Sequence, residues 1–516
     1  MLPLLPPARS RSRFFSARAL TPILASAALL CAAPALAQFS STGSIVPPLP
    51  AGQPSPWTIA GNLAVGNAAA GTLTIGAGGS VSNTQGRVGM GGNGAVTVSG
   101  ANATWTNSNE LYVGADSPGT LKIQNGGSVS SGMGHVGYPS DGQVTVDGAN
   151  STWSIPGAFL YVGDTGQGTL NVTGGGSVSG PTYDIHIGNA AAGVGAVTVS
   201  GAGSALQAST VYVGYSGQGA LTIADAGAVT AAGPVTLGFY FGGTGALNIG
   251  APAAEPAAAP GSLNALYLNT GDGAGALVFN HTDTSGNYAF SQPISGNLTL
   301  DVWAGVTALT RGSAYGGATT VHAGTLAADG ADALSPYSDF SVEHNGILAL
   351  KSGDDQTVAS LNNSGRVTLQ ANPATGTTLT VTGDYSGDGG MIALDATLDD
   401  SASATDKLVV GGSTQAGTTT LWIMNRGGLG AQTTGDGILL VQVAGASNAT
   451  FALPAPIVVG GFQYTLAKAA DGNWYLQSAP VPAAPAAAAA VPTLTETALV
   501  LLALLLAGGA MARRRG

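Results

Sequence analysis

LYVGADSPGTLKIQNGGSVSSGMGHVG, residues 111–137, holds one full period of this chain and the start of the next. It opens on Tyr112-Val113-Gly114 and closes on His135-Val136-Gly137. The same phrase, with Ile or Leu sometimes replacing Val, ends at Gly66, Gly89, Gly114, Gly137, Gly163, Gly188, Gly214 and Gly238. The intervals are 23, 25, 23, 26, 25, 26 and 24 residues. Spacing this regular predicts a stacked array rather than a globule with one centre. Such an array presents a long surface and seldom a deep pocket.

Each period carries three short runs in which apolar and polar residues alternate. The second run holds Leu73/Ile75, Val96/Val98, Leu121/Ile123, Val144/Val146, Leu170/Val172, Val197/Val199, Leu221/Ile223 and Leu247/Ile249. The third switches between a Ser-Val-Ser type (Val81, Val129, Val178) and one centred on Trp105, Trp153 or Leu206. Alternation with period two means strands with one side in and one side out. Three strands and three turns in about 24 residues make one coil of a parallel β-helix, each strand stacked on its equivalent one coil away. The outward positions of the second run are Thr74, Thr97, Lys122, Thr145, Asn171, Thr198, Thr222 and Asn248, suited to a solvated face. Glycine, 81 of 516 residues, belongs to the corners, since it lacks collagen's three-residue period.

The ends differ from the body. Arg9, Arg11, Arg13 and Arg18 precede an apolar stretch from Ile23 to Leu30, and Ala35-Leu36-Ala37 stands before Gln38. This is the pattern of a secretory signal peptide over 1–37, cleaved between Ala37 and Gln38. The one cysteine, Cys31, lies inside it, so the exported chain has no disulfide. Without the signal and the C-terminal tail, which holds Glu496 and the three arginines, eight basic residues face 25 acidic ones, a charge near −17. That disfavours nucleic acid and anionic lipid as partners.

Beyond an Ala/Pro stretch at 251–260 the period loosens and familiar words appear. Phe279-Asn280-His281-Thr282-Asp283, Tyr315-Gly316-Gly317-Ala318-Thr319-Thr320-Val321 and Ala323-Gly324-Thr325-Leu326 resemble the autotransporter-associated β-strand repeat. Asp384-Tyr385-Ser386-Gly387 through Asp406-Lys407-Leu408-Val409-Val410 to Asn473-Trp474-Tyr475-Leu476 resembles the C-terminal part of pertactin-like autotransporter passengers. The resemblance implies a right-handed helix whose last part is cap and autochaperone, although no barrel-forming sequence follows. Trp474, Tyr475 and Phe462 are the aromatic residues available to cover the open end. After an Ala/Pro linker at 479–490, Val491-Pro492-Thr493-Leu494 and Glu496 open an apolar run that ends at Arg513-Arg514-Arg515. This resembles the IPTL-CTERM variant of PEP-CTERM sorting signals, with Val491 in place of Ile. The likeness implies reading by an exosortase-like inner-membrane enzyme after export. As a helix, 494–512 reads as one transmembrane span, and a plain anchor is the alternative to a sorting signal.

The expected organisation is therefore a signal peptide (1–37), linker (38–60), β-helix (61–250), Ala/Pro linker (251–260), β-strand-repeat region (261–335), pertactin-like cap (336–478), linker (479–490) and sorting signal (491–516). The class is all-β apart from the two terminal segments.

Motifs for enzyme chemistry are lacking. There is no His-Glu-x-x-His and no serine-protease Gly-Asp-Ser-Gly, and the five histidines are scattered. Asp354-Asp355 and Asp399-Asp400 are adjacent, so on a strand they point to opposite faces and make poor acid–base couples. No cofactor or metal is expected. One outward column stands out: Tyr112, His135, Tyr161, His186 and Tyr212, each just before the Val-Gly corner or its variant. Stacked in register they form a stripe on one exposed face, either a contact surface for sugar rings or a ladder that steadies the sheet. The expectation is an exported, non-enzymatic surface protein acting in adhesion, aggregation or matrix formation. Its partners would be the export machinery, the sorting enzyme, and surface glycans or neighbouring cells. The alternatives are a β-helical polysaccharide-active enzyme or a purely structural envelope protein.

Overall fold

Successive 23–26-residue periods lie directly on one another. In the computed structural model, which describes residues 38–52, 54–180, 182–370, 375–482 and 495–512, Gly119–Gln124 pairs in parallel with Gly94–Ser99 on one side and Gly142–Asp147 on the other. The register is unbroken through Gln167–Thr173, Val194–Ser200, Gln218–Ala224, Thr244–Gly250 and Ala274–Asn280. These strands belong to a sheet of 21 strands, and the whole solenoid has about 14 turns. The residues expected inside are inside: Leu121, Ile123, Val144, Val146, Leu170 and Val172 are all fully buried. A one-residue slip would turn that column out to water, so the register is fixed by burial.

The third run stacks as Val81, Trp105, Val129, Trp153 and Val178, each opposite the next. Both indoles are fully buried and bonded: Trp105 Nε1 donates to Asn83 Oδ1 at 2.7 Å and Trp153 Nε1 to Ser131 Oγ at 3.0 Å. Room for them comes from the neighbouring face. A Cβ on Gly86 or on Gly134 would come within 2.8 Å of the Trp105 or Trp153 ring respectively. Every corner glycine from Gly66 to Gly238 has positive φ. At Gly163 a Cβ would also meet the Val194 backbone at 2.3 Å.

Several boundaries differ from expectation. Residues 38–60 are not only linker: Phe39–Gly43 and Ile45–Val46 pair antiparallel with the first coil and cover its edge. The 251–260 stretch does not interrupt the stack. It loops out between Thr244–Gly250 and Ala274–Asn280, which pair, and Asn280 Nδ2 holds it through the carbonyls of Pro252 and Glu255. The far end closes in a seven-stranded sheet whose last strands, Trp474–Pro480, Phe462–Lys468 and Ile457–Val459, run antiparallel. Trp474, Tyr475 and Phe462 are only half-buried there, and the fully buried aromatic of that hairpin is Tyr464.

The expected transmembrane span is corrected. The C-terminal helix is Glu496–Ala512, 17 residues, and among the described residues no helix is long and apolar enough to cross a membrane. Its first turn goes to polar residues: the Thr495 carbonyl accepts from the N–H groups of Ala498 and Leu499, with Glu496 and Thr497 between. Residues 1–37, with Ala35 and Ala37, lie outside the described residues, as do Val491, Pro492, Thr493, Leu494, Arg513, Arg514 and Arg515.

Candidate functional site: an aromatic and imidazole stripe

Tyr112, His135, Tyr161, His186 and Tyr212 sit at equivalent positions of five consecutive strands, His135 opposite both Tyr112 and Tyr161, His186 opposite both Tyr161 and Tyr212. Ring centroids lie 4.4, 5.0, 5.2 and 5.0 Å apart in that order. Tyr112 and His135 are nearly parallel at 12°, whereas His186 meets Tyr161 and Tyr212 edge to face. The guanidinium of Arg87, one coil earlier, lies 5.4 Å from the Tyr112 ring.

The stripe is less exposed than a bare outward column. The tyrosines and His135 are half-buried, and His186 is 6% exposed. The cause is a second column, the residue just after each corner glycine, which includes Tyr138, Asp164, Asn189, Tyr215 and Phe239. Tyr138 leans on both Tyr112 and His135, and Tyr215 stacks on His186 at 4.0 Å. Phe159 closes the other side against Tyr161 and His186. This column was readable at a fixed offset from the glycine, but its chemistry varies from coil to coil and so looks like turn sequence.

Where the second column turns polar it ties the histidines together. Asp164 Oδ2 lies 2.7 Å from His135 Nδ1, Asn189 Nδ2 donates to Asp164 Oδ1 at 2.8 Å, and Asn189 Oδ1 lies 3.0 Å from His186 Nδ1. Burial lowers the His186 pKa against the smaller opposing pulls of Asn189, Asp184 and Asp164. The phenols move the other way. Desolvation, aided by the hydrogen bond to Glu110, pushes Tyr112 up to about 12, and desolvation with the Tyr240 contact takes Tyr215 to about 12. Tyr161 and Tyr212 are raised by burial first. At neutral pH the stripe is therefore a run of uncharged phenols, able to donate hydrogen bonds beside their π faces.

The remaining acidic groups act elsewhere. Asp355 accepts from Thr378 N at 2.6 Å and Asp399 from Leu429 N, each joining one coil to the next, while Asp400 accepts from Ala402 N within its own turn. Among the described residues no group of three or more His, Cys, Asp or Glu side chains is placed to hold a metal ion.

Comparison with known proteins finds matches to parts of the chain. The family Autochaperone Domain Type 1 matches residues 356–466, and the IPTL-CTERM motif matches residues 489–516. The adhesin BmaC autotransporter of Brucella suis biovar 1 is 45% identical over 114 residues, 20% of this chain and 3% of that protein. The autotransporter adhesin AIDA-I of Escherichia coli is 39% identical over 108 residues, 20% of this chain and 8% of that protein. The matches thus span a small fraction of the length of these relatives. Among solved structures, the Haemophilus influenzae Hap adhesin aligns with 79% of this chain and 63% of that chain, at 12% identity and a TM-score of 0.34, too slight a likeness to argue from. The chain is an autotransporter-passenger-like protein with an autochaperone domain and an IPTL-CTERM motif.

Proposed function

We propose that this protein is an adhesin-like passenger displayed at the surface of a Gram-negative cell, built as a right-handed solenoid, and that the Tyr112–His135–Tyr161–His186–Tyr212 stripe is its contact face. It is exported by the 1–37 signal, and its tail is read by an exosortase-like inner-membrane enzyme. Its partners are surface glycans or neighbouring cells, and it performs no catalysis. The observation that carries this reading is the stripe itself: five rings in register along one face, broadened by Tyr138, Phe159 and Tyr215. A steadying ladder needs only stacking. The half-buried phenols of Tyr112, Tyr161 and Tyr212 set hydroxyl groups beside their ring faces, a combination suited to hydroxyl-bearing rings. The adhesin names of the relatives support the same reading.

Replacing Tyr112, Tyr161 and Tyr212 together by Ser tests it. In cells displaying equal amounts of folded protein, cell–cell aggregation and adhesion to glycan-coated surfaces should fall several-fold. Unchanged aggregation and adhesion would reduce the stripe to a structural ladder.

A further inference from the structure

The turn after the corner glycine is built of small or polar residues in four of the eight coils, as Asn67-Ala68-Ala69, Ala115-Asp116-Ser117, Asp164-Thr165-Gly166 and Asn189-Ala190-Ala191. After Gly238 it reads Phe239-Tyr240-Phe241. Phe239 is anchored, stacked on Tyr215 at 5.1 Å and 7°. Tyr240 stands edge-on to Tyr215 and Phe239 and is half exposed. Phe241 is 90% exposed, more than any other large hydrophobic side chain among the described residues. With Tyr240 beside it, Phe241 makes a small exposed aromatic patch on a tight turn.

Phe241 walls a hollow of about 380 Å³ whose other sides include Thr244, Asp272, Asn297 and Thr299. A second hollow of about 500 Å³ shares Thr244 and Thr299 with it and continues over the outer face of the sheet. Both are shallow and open to solvent, a shape that takes a ligand lying along the surface. Asp272 is the one ionisable side chain lining either hollow, and no Lys or Arg lines them. This chemistry narrows the occupant. A purely apolar ligand would leave the Asp272 carboxylate, the Asn297 amide and two threonine hydroxyls without partners. An anionic one would face Asp272 with no cation to offset it. A neutral saccharide satisfies both conditions, its C–H face against the phenyl ring and its hydroxyls toward carboxylate, amide and hydroxyl groups.

We infer that the Phe241–Asp272–Asn297 hollow binds a neutral oligosaccharide, with the adjoining hollow taking further rings of the chain. This goes beyond the adhesive stripe and does not depend on it.

The test uses the full-length chain in detergent, titrated calorimetrically with cellohexaose, maltohexaose and a soluble mannan, and with heparin and polygalacturonate as anionic counterparts. At least one neutral probe should bind. Phe241→Ser should weaken it about tenfold. Asp272→Ala should weaken it without altering the circular dichroism spectrum, and the triple Tyr→Ser variant of the stripe should bind it like wild type. Failure of all neutral probes, preference for the anionic ones, or binding indifferent to both Phe241→Ser and Asp272→Ala would each overturn the assignment. Loss of binding in the stripe variant alone would move the saccharide to the stripe and overturn it too.

Discussion

The coils from Leu63 to Gly250 and the closing segment from Gln356 to Pro480 use opposite ways of making a stable end product. In the first, each contact is repeated: Leu121 touches what Val144 touches one coil on, and the side-chain hydrogen bonds join residues about one period apart, as in Asn83–Asn107. In the second, contacts are unique and reach further. The Tyr464 hydroxyl donates to Asp399 O, 65 residues back, and Ser478 bonds Thr433 across 45 residues. The closing segment also buries charge. Asp406 is fully buried and accepts from Gly376 N, Thr377 N and Asp395 N at 2.8 to 3.0 Å, while buried Asp395 lies 2.8 Å from Arg426 Nε. An array tolerates local error because each coil depends on its neighbours alone. A cap built from single contacts does not.

The largest effect should therefore come from Asp406→Ala. It leaves the buried N–H groups of Thr377 and Asp395 without an acceptor, while that of exposed Gly376 can turn to water, and the expected loss is about 3 to 5 kcal/mol. Hydrogen exchange should show protection lost across the cap from residue 375 to residue 482 while the coils before residue 250 keep theirs. Uniform loss along the whole rod would mean that the two regions fold as one unit and would break the contrast.

A middle-sized effect tests the array from its own side. Trp153→Phe keeps most of the buried ring but removes the donor to Ser131 Oγ. The expected cost is about 1 to 2 kcal/mol, the toll of one buried hydroxyl left without its donor. It should appear as faster exchange in the strands Ser128–Val136, Thr152–Ser154 and Ser177–Ser179 and nowhere beyond adjacent coils. Spreading past them would show that coils cooperate over a longer range than nearest neighbours.

The same contrast explains what could be read in advance. Repetition writes itself into sequence, so the coil, its three runs, its inward residues and the stacking of Tyr112 through Tyr212 follow from spacing alone. The stripe's partial burial does not, because Tyr138 and Tyr215 close over it from turn positions that in other coils hold Asn, Ala or Asp, and Phe159 from a strand edge. Long-range single contacts leave no periodic mark either. Nothing adjacent to Asp406 announces Gly376 or Asp395, and the antiparallel hairpin carrying Tyr464 has the same alternation as the parallel strands before it. At the C-terminal helix the apolar run was visible, but Thr495 and Glu496 moved its start two residues along and shortened it. Phe241 was readable as an aromatic, and only the coil stacking brings Asp272 and Asn297 beside it.

The smallest effect concerns the stripe's coupling to the array beneath it. Around His186 stand Asn189, Asp164 and Asp184 and the rings of Phe159, Tyr161, Tyr212 and Tyr215. Burial lowers its pKa from the ordinary 6.5, so below that pH the unfolded chain takes up a proton that the folded chain resists. The folded state then binds fewer protons, and stability rises with pH across the window. The contribution of His186 is therefore fully present above its ordinary pKa and is lost as pH falls from there toward the lowered folded value. His186→Asn removes the titration while keeping a polar side chain. Melting temperatures of wild type and variant, measured from about pH 7.5 to about pH 5, should converge, wild type losing more on acidification so that its advantage narrows. A constant difference would show that the imidazole is not felt by the coil under it. A wild-type advantage that widens on acidification would reverse the sign and place the proton on His186 in the folded rod, where Asp164 and Asp184 would then outweigh burial.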